Sequence, residues 1–305
     1  MTRVKRLSCI CRNPFSPVYN VNASLPTAEE RAVVTTLYSE SFLSPVLTLG
    51  QSLKDNSIEA RMIVLYLPER ISTQSRCRLQ AVGWELHPVQ RIPPPDSGRG
   101  VARRFLDQYT KLRIWALDKI DIKTAIYIDG DTIVQNNFDE LWSLPYNFAA
   151  VPDVQMDKRG FTLSFNAGMM FLRTSSEVFD DMLSKIGTAR YIREDAEQGF
   201  LNMYFATQAI RLPYIYNGNV AIKKKSLEVW GSLREDMRII HYTIAKPFLF
   251  EKEYHRVRDR DAYNDETRRA LSRKKQADGG LWYDEISLWE RSWEKMNTVL
   301  DGKCL

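Results

Sequence analysis

The sequence Tyr127-Ile-Asp-Gly-Asp-Thr-Ile-Val134 (YIDGDTIV) decides how this chain is interpreted, because it places two carboxylates one residue apart within a largely apolar stretch. Like charges at the end of a buried strand repel each other, and burying them is costly unless a cation compensates. The stretch is therefore either a tight turn at the surface or a site where Asp129 and Asp131 hold a cation. Surface turns rarely interrupt a long apolar stretch, so the flanking residues favour the cation.

Gly130 separates the two carboxylates, and a glycine there lets the backbone turn sharply and lets a ligand approach closely. In open α/β sheets, ligands bind beyond the carboxyl ends of the strands, which is where this stretch would lie. Two carboxylate oxygens suit Mg²⁺ or Mn²⁺, which keep other positions for water and for the phosphates of a substrate. We therefore expect a divalent cation here, with a surface turn as the alternative.

The composition is that of an ordinary globular protein. The 305 residues carry a net charge of +5, with 44% apolar and 27% charged residues, which suits one large domain or two small ones. A modest positive charge favours a small anionic ligand over nucleic acid. No apolar run is long enough to predict a membrane span, and the apolar part of the basic N-terminus is too short for a signal peptide.

The four cysteines do not form the pattern of a metal site. Cys9 and Cys11 have no second pair at zinc spacing, so they, Cys77 and Cys304 are all interpreted as free thiols. Together with the absence of a signal peptide, this interpretation makes a reducing, cytoplasmic setting the expectation.

The hydrophobic pattern alternates between short apolar segments and helical spacing. Strands are predicted at 32–37, 62–67, 84–89, 125–128, 148–151, 169–172 and 238–242, and helices at 42–54, 105–120 and 178–186. Thr174 and Glu177 form a predicted capping box before the last of these helices. Continuously apolar strands alternating with helices indicate an α/β fold with a mostly parallel central sheet flanked by helices. We expect an irregular N-terminal arm at 1–30, one α/β domain at 31–250 and a charged helical extension at 251–305.

Further polar residues lie at the edges of these elements. His241 ends a predicted strand, and Lys246 follows in the next loop. An imidazole suits Mn²⁺ better than Mg²⁺, and an ammonium suits phosphate oxygens; a structural histidine and a solvated lysine are the alternatives. Arg104 and Lys111 are seven residues apart, so on the predicted helix they would share a face able to meet a pyrophosphate. An ordinary exposed face is the simpler explanation of that pair.

Two short motifs offer further groups. The segment 165–168 (FNAG) precedes a predicted strand, and its small residues let a backbone line a pocket in which Asn166 could bind hydroxyls; a simple turn is the alternative. The segment 194–199 (EDAEQG) opens a helix, where Asp195 and Gln198 match a capping box. Glu197 is not needed for that cap and is therefore the more informative carboxylate.

Taken together, these motifs resemble one family, the retaining nucleotide-sugar-dependent glycosyltransferases of family 8. The resemblance runs from about Ala32 to Phe248 and consists of VVTTLYSESFLSPVLTLGQSL, YTKLRIW, YIDGDTIVQNNFDELW, VPD, FNAGMMFL, EQGFLNMYF, LPYIYN and HYTIAKPF in order. A single D-x-D is a weak signal, but the ordered set is specific. The sequences of these motifs are most similar to those of galactinol synthases and glycogenins. The motifs KLRIW, DGD, FNAGM and AEQxFLNMYF favour the galactinol synthases.

The resemblance implies a GT-A fold that binds a UDP-sugar, and it implies roles for matching residues. Mn²⁺, with Mg²⁺ as the alternative, would be held by Asp129, Asp131 and His241. The uridine would be held by Thr35, Thr36, Tyr38 and Phe42, where Phe42 replaces the tyrosine of several relatives. The diphosphate would lie near Lys111, Gly130 and Lys246, and Arg104 joins them through the predicted helix face described above. The sugar would contact Asp153, Asn166, Ala167, Gly168 and Gln198. Catalytic roles fall to Glu197, Gln198 and Lys246.

The expected activity is Mn²⁺-dependent, retaining transfer of a hexose from a UDP-sugar to a hydroxyl of a small polyol or saccharide. A galactinol-synthase-like reaction, from UDP-galactose to myo-inositol, matches best, and a glycogenin-like glucosyltransferase is the alternative. The segment 218–230 (GNVAIKKKSLEVW) has lysines where the self-glucosylated tyrosine of a glycogenin would lie, which disfavours self-glucosylation there. A non-catalytic nucleotide-sugar-binding scaffold is the alternative of another class. No nucleic acid is expected as a partner, and a homodimer stays open.

Overall fold

The structure is a computed structural model that describes residues 25–257 and 259–304. Its strands are β1 Arg31–Leu37, β2 Arg61–Tyr66, β3 Glu85–Pro88, β4 Thr124–Ile128, β5 Thr132–Val134, β6 Phe148–Val154, β7 Phe161–Arg173, β8 Ile210–Arg211, β9 Gly218–Asn219 and β10 Ile239–His241. Its α-helices are α1 Leu43–Asp55, α2 Thr73–Val82, α3 Ser176–Lys185, α4 Ala196–Tyr204, α5 Val220–Lys225, α6 Leu227–Leu233, α7 Glu251–Tyr254, α8 Arg260–Gln276 and α9 Tyr283–Val299. The 3₁₀ helices include Glu40–Phe42, Arg103–Phe105, Gln108–Ile120, Asp139–Ser143, Arg193–Asp195 and Tyr214–Asn217.

A seven-stranded sheet in the order β3-β2-β1-β4-β7-β6-β8 forms the centre of the molecule. Strands β3, β2, β1 and β4 run parallel, β7 is antiparallel to both β4 and β6, and β8 runs parallel to β6. The central strand β4, with the sequence TAIYI, is buried at every residue because helices cover both faces of the sheet. This confirms the predicted α/β fold with a mostly parallel sheet.

A second sheet of three short strands lies beyond the carboxyl end of β4. Strand β5 pairs antiparallel with β10, and the register sets His241 opposite Thr132. The backbone N–H of Tyr242 also donates to the carbonyl of Asp131. This pairing brings residues more than a hundred positions apart in the chain to one edge of the central sheet.

The C-terminal helices pack on the sheet domain and contribute to its core. Trp289, Trp293 and Met296 of α9 are buried in the cluster that also contains residues of β1 and α1. The Tyr242 hydroxyl donates to the carbonyl of Glu285 (2.7 Å), and the Lys274 ammonium donates to the carbonyl of Phe248 (2.6 Å). The predicted helical extension therefore holds both ends of the loop that carries Lys246.

Several local predictions need correction. The helix expected at 105–120 is a 3₁₀ helix over Gln108–Ile120, and Arg104 lies in a separate short turn. The N-cap of α3 is Ser175, whose hydroxyl accepts from the N–H of Val178, whereas the Thr174 hydroxyl donates to the carbonyl of Ile122. The predicted Thr174–Glu177 capping box is therefore wrong, because a distant carbonyl competes for the threonine.

The FNAG segment lies inside β7 and does not precede it. Phe165 and Ala167 are buried in the core, whereas Asn166 faces the site, so polar and apolar residues alternate along this part of the strand. The predicted strand at 169–172 was shorter than β7 because it was based on a continuous apolar run, and this alternation interrupts that run. Of the predicted N-terminal arm at 1–30, only residues 25–30 are among the described residues. The helices of residues 25–257 and 259–304 include none long and apolar enough to cross a membrane.

The prediction of four free thiols is wrong for two cysteines. Cys77 of α2 and Cys304 form a disulfide between residues 227 positions apart. Nothing in the local spacing of the cysteines could show this pairing, because only the packing of the C-terminal helices brings Cys304 to α2. Disulfides persist mainly in oxidising compartments, so the pairing removes the argument from cysteines for a reducing setting. Cys9 and Cys11 lie outside the described residues.

Replacing both bridged cysteines, as Cys77→Ser/Cys304→Ser, should lower the free energy of unfolding, because the bridge restricts the unfolded chain. The chain-entropy relation gives an upper value of about 5 kcal/mol for a loop of this length. Urea denaturation with and without reductant measures the effect. Reductant should destabilise the parent chain and a Cys9→Ser/Cys11→Ser control but leave the bridge variant unchanged; equal stability of parent and bridge variant under oxidising conditions would contradict the pairing.

Candidate metal and donor site

The two carboxylates of the DGD turn and one imidazole meet at the carboxyl end of β4. One ligand atom from each of Asp129, Asp131 and His241 lies within 4.8 Å of the others. The His241 Nε2 atom is 3.3 Å from Asp131 Oδ1 and 4.0 Å from Asp129 Oδ2. Asp131 and His241 are buried, and Asp129 is about three-quarters buried. Two carboxylate oxygens and one imidazole nitrogen fit a divalent cation such as Mn²⁺ or Mg²⁺.

A relay of hydrogen bonds fixes which imidazole nitrogen faces the carboxylates. The backbone N–H of Gly168 donates to Asn166 (2.9 Å), so the atom of Asn166 that receives this bond is the oxygen Oδ1. Because Oδ1 can only accept, the atom of Asn217 that faces it at 3.1 Å is the amide nitrogen. The remaining Asn217 oxygen lies 2.9 Å from His241 Nδ1. An amide oxygen can only accept, so Nδ1 carries the proton and Nε2 presents a lone pair to the carboxylates. That tautomer is the one a metal ligand requires.

Gly168 occupies a position without room for a side chain. A Cβ atom there would overlap the His241 ring and would lie 2.7 Å from Asn166 Oδ1 and 2.9 Å from Asp129 Oδ2. At Gly130, a Cβ would lie 2.8 Å from a methyl of Val46. Both glycines thus allow the backbone to pass close to the groups of the candidate site.

Lys111 is a buried cation behind the carboxylates. Its ammonium lies 2.8 Å from Glu197 Oε1 and 3.2 Å from Asp129 Oδ1, and it donates to the carbonyl of Ala167 (3.2 Å). Burial alone would lower the pKa of Lys111, but the two carboxylates outweigh it and raise that pKa. Burial raises the pKa of Glu197, and the charge of Lys111 opposes this. Lys111 therefore stays charged and shares its single positive charge between the two carboxylates.

Lys246 supplies a second cation on the other side of the turn. Its ammonium contacts Asp131 Oδ2. Burial raises the pKa of Asp131, but its interactions with Lys246 and His241 outweigh this effect, so the pKa lies well below its usual range. The carboxylate therefore remains ionised. Because Lys246 is partly exposed, it can also meet an anion bound beside Asp131.

Asp153 collects the groups expected to hold the sugar. It accepts from the amide of Asn166 (3.0 Å) and from the amide of Gln198 (3.1 Å). The Gln198 oxygen accepts the backbone N–H of Ala167 (2.9 Å). Asp195 makes no side-chain cap bond at the start of α4. The predicted capping box of Asp195 and Gln198 is therefore wrong: the glutamine side chain bonds to strands β6 and β7.

The two neighbouring residues of α4 have different environments. Ala196 adopts a φ of 48°, which costs a non-glycine residue about 1–3 kcal/mol. After this turn, Glu197 is buried against Lys111, whereas Gln198 is half-buried beside Asp153. Gln198 is thus the group that reaches the open side of the site.

The groups expected to hold uridine lie at the end of β1. The hydroxyls of Thr35 and Tyr38 are buried and lack a hydrogen-bond partner among the described residues. The Thr36 hydroxyl is bonded to the Tyr127 hydroxyl (3.1 Å). The ring of Phe42 is 38% exposed and lies next to Gly130. Unpaired buried hydroxyls beside a partly exposed ring can accommodate a polar ring-containing ligand.

Arg104 does not join this group as expected. Its guanidinium lies over the Phe105 ring at 4.6 Å and is exposed, whereas Lys111 is buried. The prediction that the two cations share a helix face is wrong, because separate 3₁₀ helices carry them and their repeat differs from that of an α-helix. A role of Arg104 in donor binding stays a prediction.

Two residues of the site escaped the sequence interpretation. Asn217 orients His241, and the Tyr127 hydroxyl donates to Asp129 (2.5 Å). Both lie within motifs that carry the family resemblance, LPYIYN and YIDGDTIV, so the sequence could have indicated that they belong to the site. It could not indicate their hydrogen-bond partners, because Asn217 meets His241 only through the β9–β10 pairing.

Comparisons with known proteins agree with this geometry. Glycosyl transferase family 8 matches residues 33–251. The chain is 29% identical over 237 residues to inositol phosphorylceramide glucuronosyltransferase 1 of Arabidopsis thaliana, covering 70% of this chain and 41% of the relative. It is 28% identical to glycogenin of Neurospora crassa, covering 71% and 31%. It is also 28% identical to galactinol synthase 3 of Arabidopsis thaliana, covering 73% and 75%.

The solved structures show the same fold. The glycosyltransferase GlyE of Streptococcus pneumoniae superposes with a TM-score of 0.54 at 18% identity, covering 88% of this chain and 64% of that chain. The galactosyltransferase LgtC in complex with donor and acceptor sugar analogues gives 0.50 at 15% identity, covering 83% and 99%. The chain spans about a third to two fifths of the length of the first curated relatives it matches. The family match covers more than two thirds of the chain, which therefore belongs to glycosyl transferase family 8.

Proposed function

We propose that the protein is a Mn²⁺-dependent retaining glycosyltransferase that moves a hexose from a UDP-sugar to a hydroxyl acceptor. One observation carries the proposal: Asp129, Asp131 and His241 converge at the carboxyl end of β4 with Lys246 beside them. The relay through Asn217 gives His241 the tautomer of a metal ligand. A non-catalytic scaffold would not need this complete set of ligands.

The residues would divide the work around a bound UDP-sugar. A divalent cation bound there would act as a Lewis acid and neutralise charge on the diphosphate. Phe42 would stack on the uracil, and the free hydroxyls of Thr35 and Tyr38 would bond to the nucleoside. Lys246 would stabilise the charge that develops on the leaving diphosphate.

Transfer would follow a path on one face of the sugar. The bond between the anomeric carbon and the diphosphate oxygen breaks, the acceptor oxygen bonds to the same face, and its proton passes to the leaving phosphate oxygen. Gln198, held by Asp153 and the backbone of Ala167, would steady the positive charge on the sugar from the other face. The ion pair of Glu197 and Lys111 would determine the electrostatic potential on that side of the sugar.

The reactions of the relatives provide the candidates for the donor sugar and the acceptor, and an experiment must distinguish between them. A galactinol-synthase-like reaction is the first candidate and a glycogenin-like glucosylation the second. Five of the relatives are glucuronosyltransferases by name. The names of four of them give UDP-glucuronate as the donor and xylan as the acceptor, and two of these four names are marked as putative. UDP-glucuronate therefore belongs in the test beside UDP-galactose and UDP-glucose.

The proposal is tested by UDP release from these three donors, with and without Mn²⁺ and with and without myo-inositol, followed by intact-protein mass. We expect release that requires Mn²⁺ with at least one donor. Stimulation of UDP-galactose turnover by myo-inositol would identify the first candidate, and a gain of whole hexoses in the protein mass the second. UDP binding with no turnover of any donor would argue for the scaffold.

Replacing Asp131 by Asn should reduce turnover by about a thousandfold or more, because a charged ligand is lost where negative charge develops. Steady-state UDP release measures this, and near-UV circular dichroism checks that the fold is intact. Asp301→Asn is the matched control, since Asp301 is exposed and distant in sequence from every residue of the site. Turnover of the Asp131 variant close to that of the parent chain would contradict the proposal.

Replacing Gly168 by Ala should displace His241 and Asp129, because the added methyl has no room. We expect a loss of Mn²⁺ affinity, read directly from the free-ion signal in electron paramagnetic resonance, and a loss of turnover of about a hundredfold. Gly187→Ala is the control, since a Cβ there meets no atom within 4 Å. Equal Mn²⁺ binding by both variants would show that the three side chains are not the metal ligands.

A further inference from the structure

A hairpin beside the sugar site has an unusual surface. Strands β6 and β7 are joined by residues 155–160, and three apolar side chains project from this region: Met156 is 42% exposed, Phe161 46% and Leu163 78%. Lys158 and Lys225 add positive charge next to them. We call these five residues the hairpin face. Exposed apolar side chains that cluster on a surface and are bordered by polar residues are typical of interaction sites.

The charge of the hairpin face is not neutralised locally. Arg159 is paired with Asp157 (2.7 Å), so these two cancel. Lys225 donates to the carbonyls of Met156 and Asp157 (both 2.8 Å) and has no carboxylate partner among the ion pairs of the described chain. Lys158 is exposed and likewise forms no ion pair there. The face therefore combines apolar side chains with excess positive charge.

Several backbone groups of the hairpin tip are hydrogen-bonded. The N–H of Gln155 donates to the carbonyl of Gly160 (2.8 Å), and the N–H of Gly160 donates to that of Asp157 (3.3 Å). Lys225 donates to the carbonyl of Met156 and is a second donor to that of Asp157. Each backbone group bonded in this way lowers the cost of moving the tip into an interfacial layer.

The hairpin face is also tied to the site. Asp153, at the base of the hairpin, accepts from both Gln198 and Gln155, and the Thr162 hydroxyl donates to its carbonyl. Asp157 follows Asp153 by four positions, so the two residues are at most about 14 Å apart along the chain. Whatever the face binds is therefore within reach of the sugar site.

We propose that the hairpin face docks the protein on the surface of an anionic lipid bilayer. The apolar side chains would enter the headgroup region, and Lys158 and Lys225 would meet the lipid phosphates. A bilayer fits better than a protein partner because the face is a projecting hairpin and not a groove. Docking needs neither donor nor metal; only its consequence, an acceptor hydroxyl displayed at the lipid surface, rests on the proposed function.

The test is co-sedimentation of the full chain with vesicles of phosphatidylcholine alone or with about 30 mol% phosphatidylserine. We expect binding to the anionic vesicles only, weakened by salt. Leu163→Ser and Lys158→Glu should each lower the partition coefficient by about tenfold. Leu25→Ser and Lys119→Glu are matched controls, since both residues are exposed and lie near the opposite, amino-terminal edge of the sheet; they should bind like the parent chain.

A second readout protects the test against misfolded variants. In Leu163→Trp, the emission of the new tryptophan should shift to shorter wavelength on addition of anionic vesicles, whereas UDP binding should be unchanged. Failure of the parent chain to bind, or equal binding by the hairpin and control variants, overturns the proposal. Absent vesicle binding together with a raised KM for a soluble acceptor in Phe161→Ser also overturns it and assigns the face to that acceptor.

Discussion

Two carboxylates at the end of a buried strand are the constraint on which the rest of this structure depends. Asp129 and Asp131 are tolerable there only if positive charge surrounds them. The chain supplies it as two ammonium groups, Lys111 from a 3₁₀ helix and Lys246 from the loop after β10, and it adds the imidazole of His241 from β10 as a ligand for a further cation. Each of these three groups is carried by a different part of the fold, so the carboxylates tie the arrangement of the whole domain to one point.

The positions of His241 and Lys246 beside the carboxylates depend on packing in more distant parts of the fold. The β5–β10 pairing sets His241 beside Asp131, and the helices after residue 250 hold both ends of the loop of Lys246. Ring contacts continue this support, since Phe42 packs against Phe248 and Phe248 against Trp289. The part of the chain outside the family match thus supports both the candidate uridine position and a candidate phosphate cation.

The hydrophobic pattern of the sequence allowed the fold class to be predicted, and the family resemblance implied that Asp129, Asp131 and His241 meet at one site. What the sequence missed depends on partners distant in the chain. Gln198 matches a helix cap by spacing but bonds to Asp153, and Cys77 has no neighbouring cysteine that would indicate its bridge to Cys304. Local pattern rules identify which groups are present; they do not identify which distant group competes for them.

The bridge between Cys77 and Cys304 has a topological consequence. It closes the chain into a covalent ring that contains the DGD turn, the hairpin, β10 and the C-terminal helices. A protease that cuts once within this ring, for instance at the exposed tip of the hairpin, opens the ring but releases no fragment. The two pieces stay joined through sulfur until a reductant acts, so the nicked protein would migrate as an intact chain under non-reducing conditions and as two fragments after reduction.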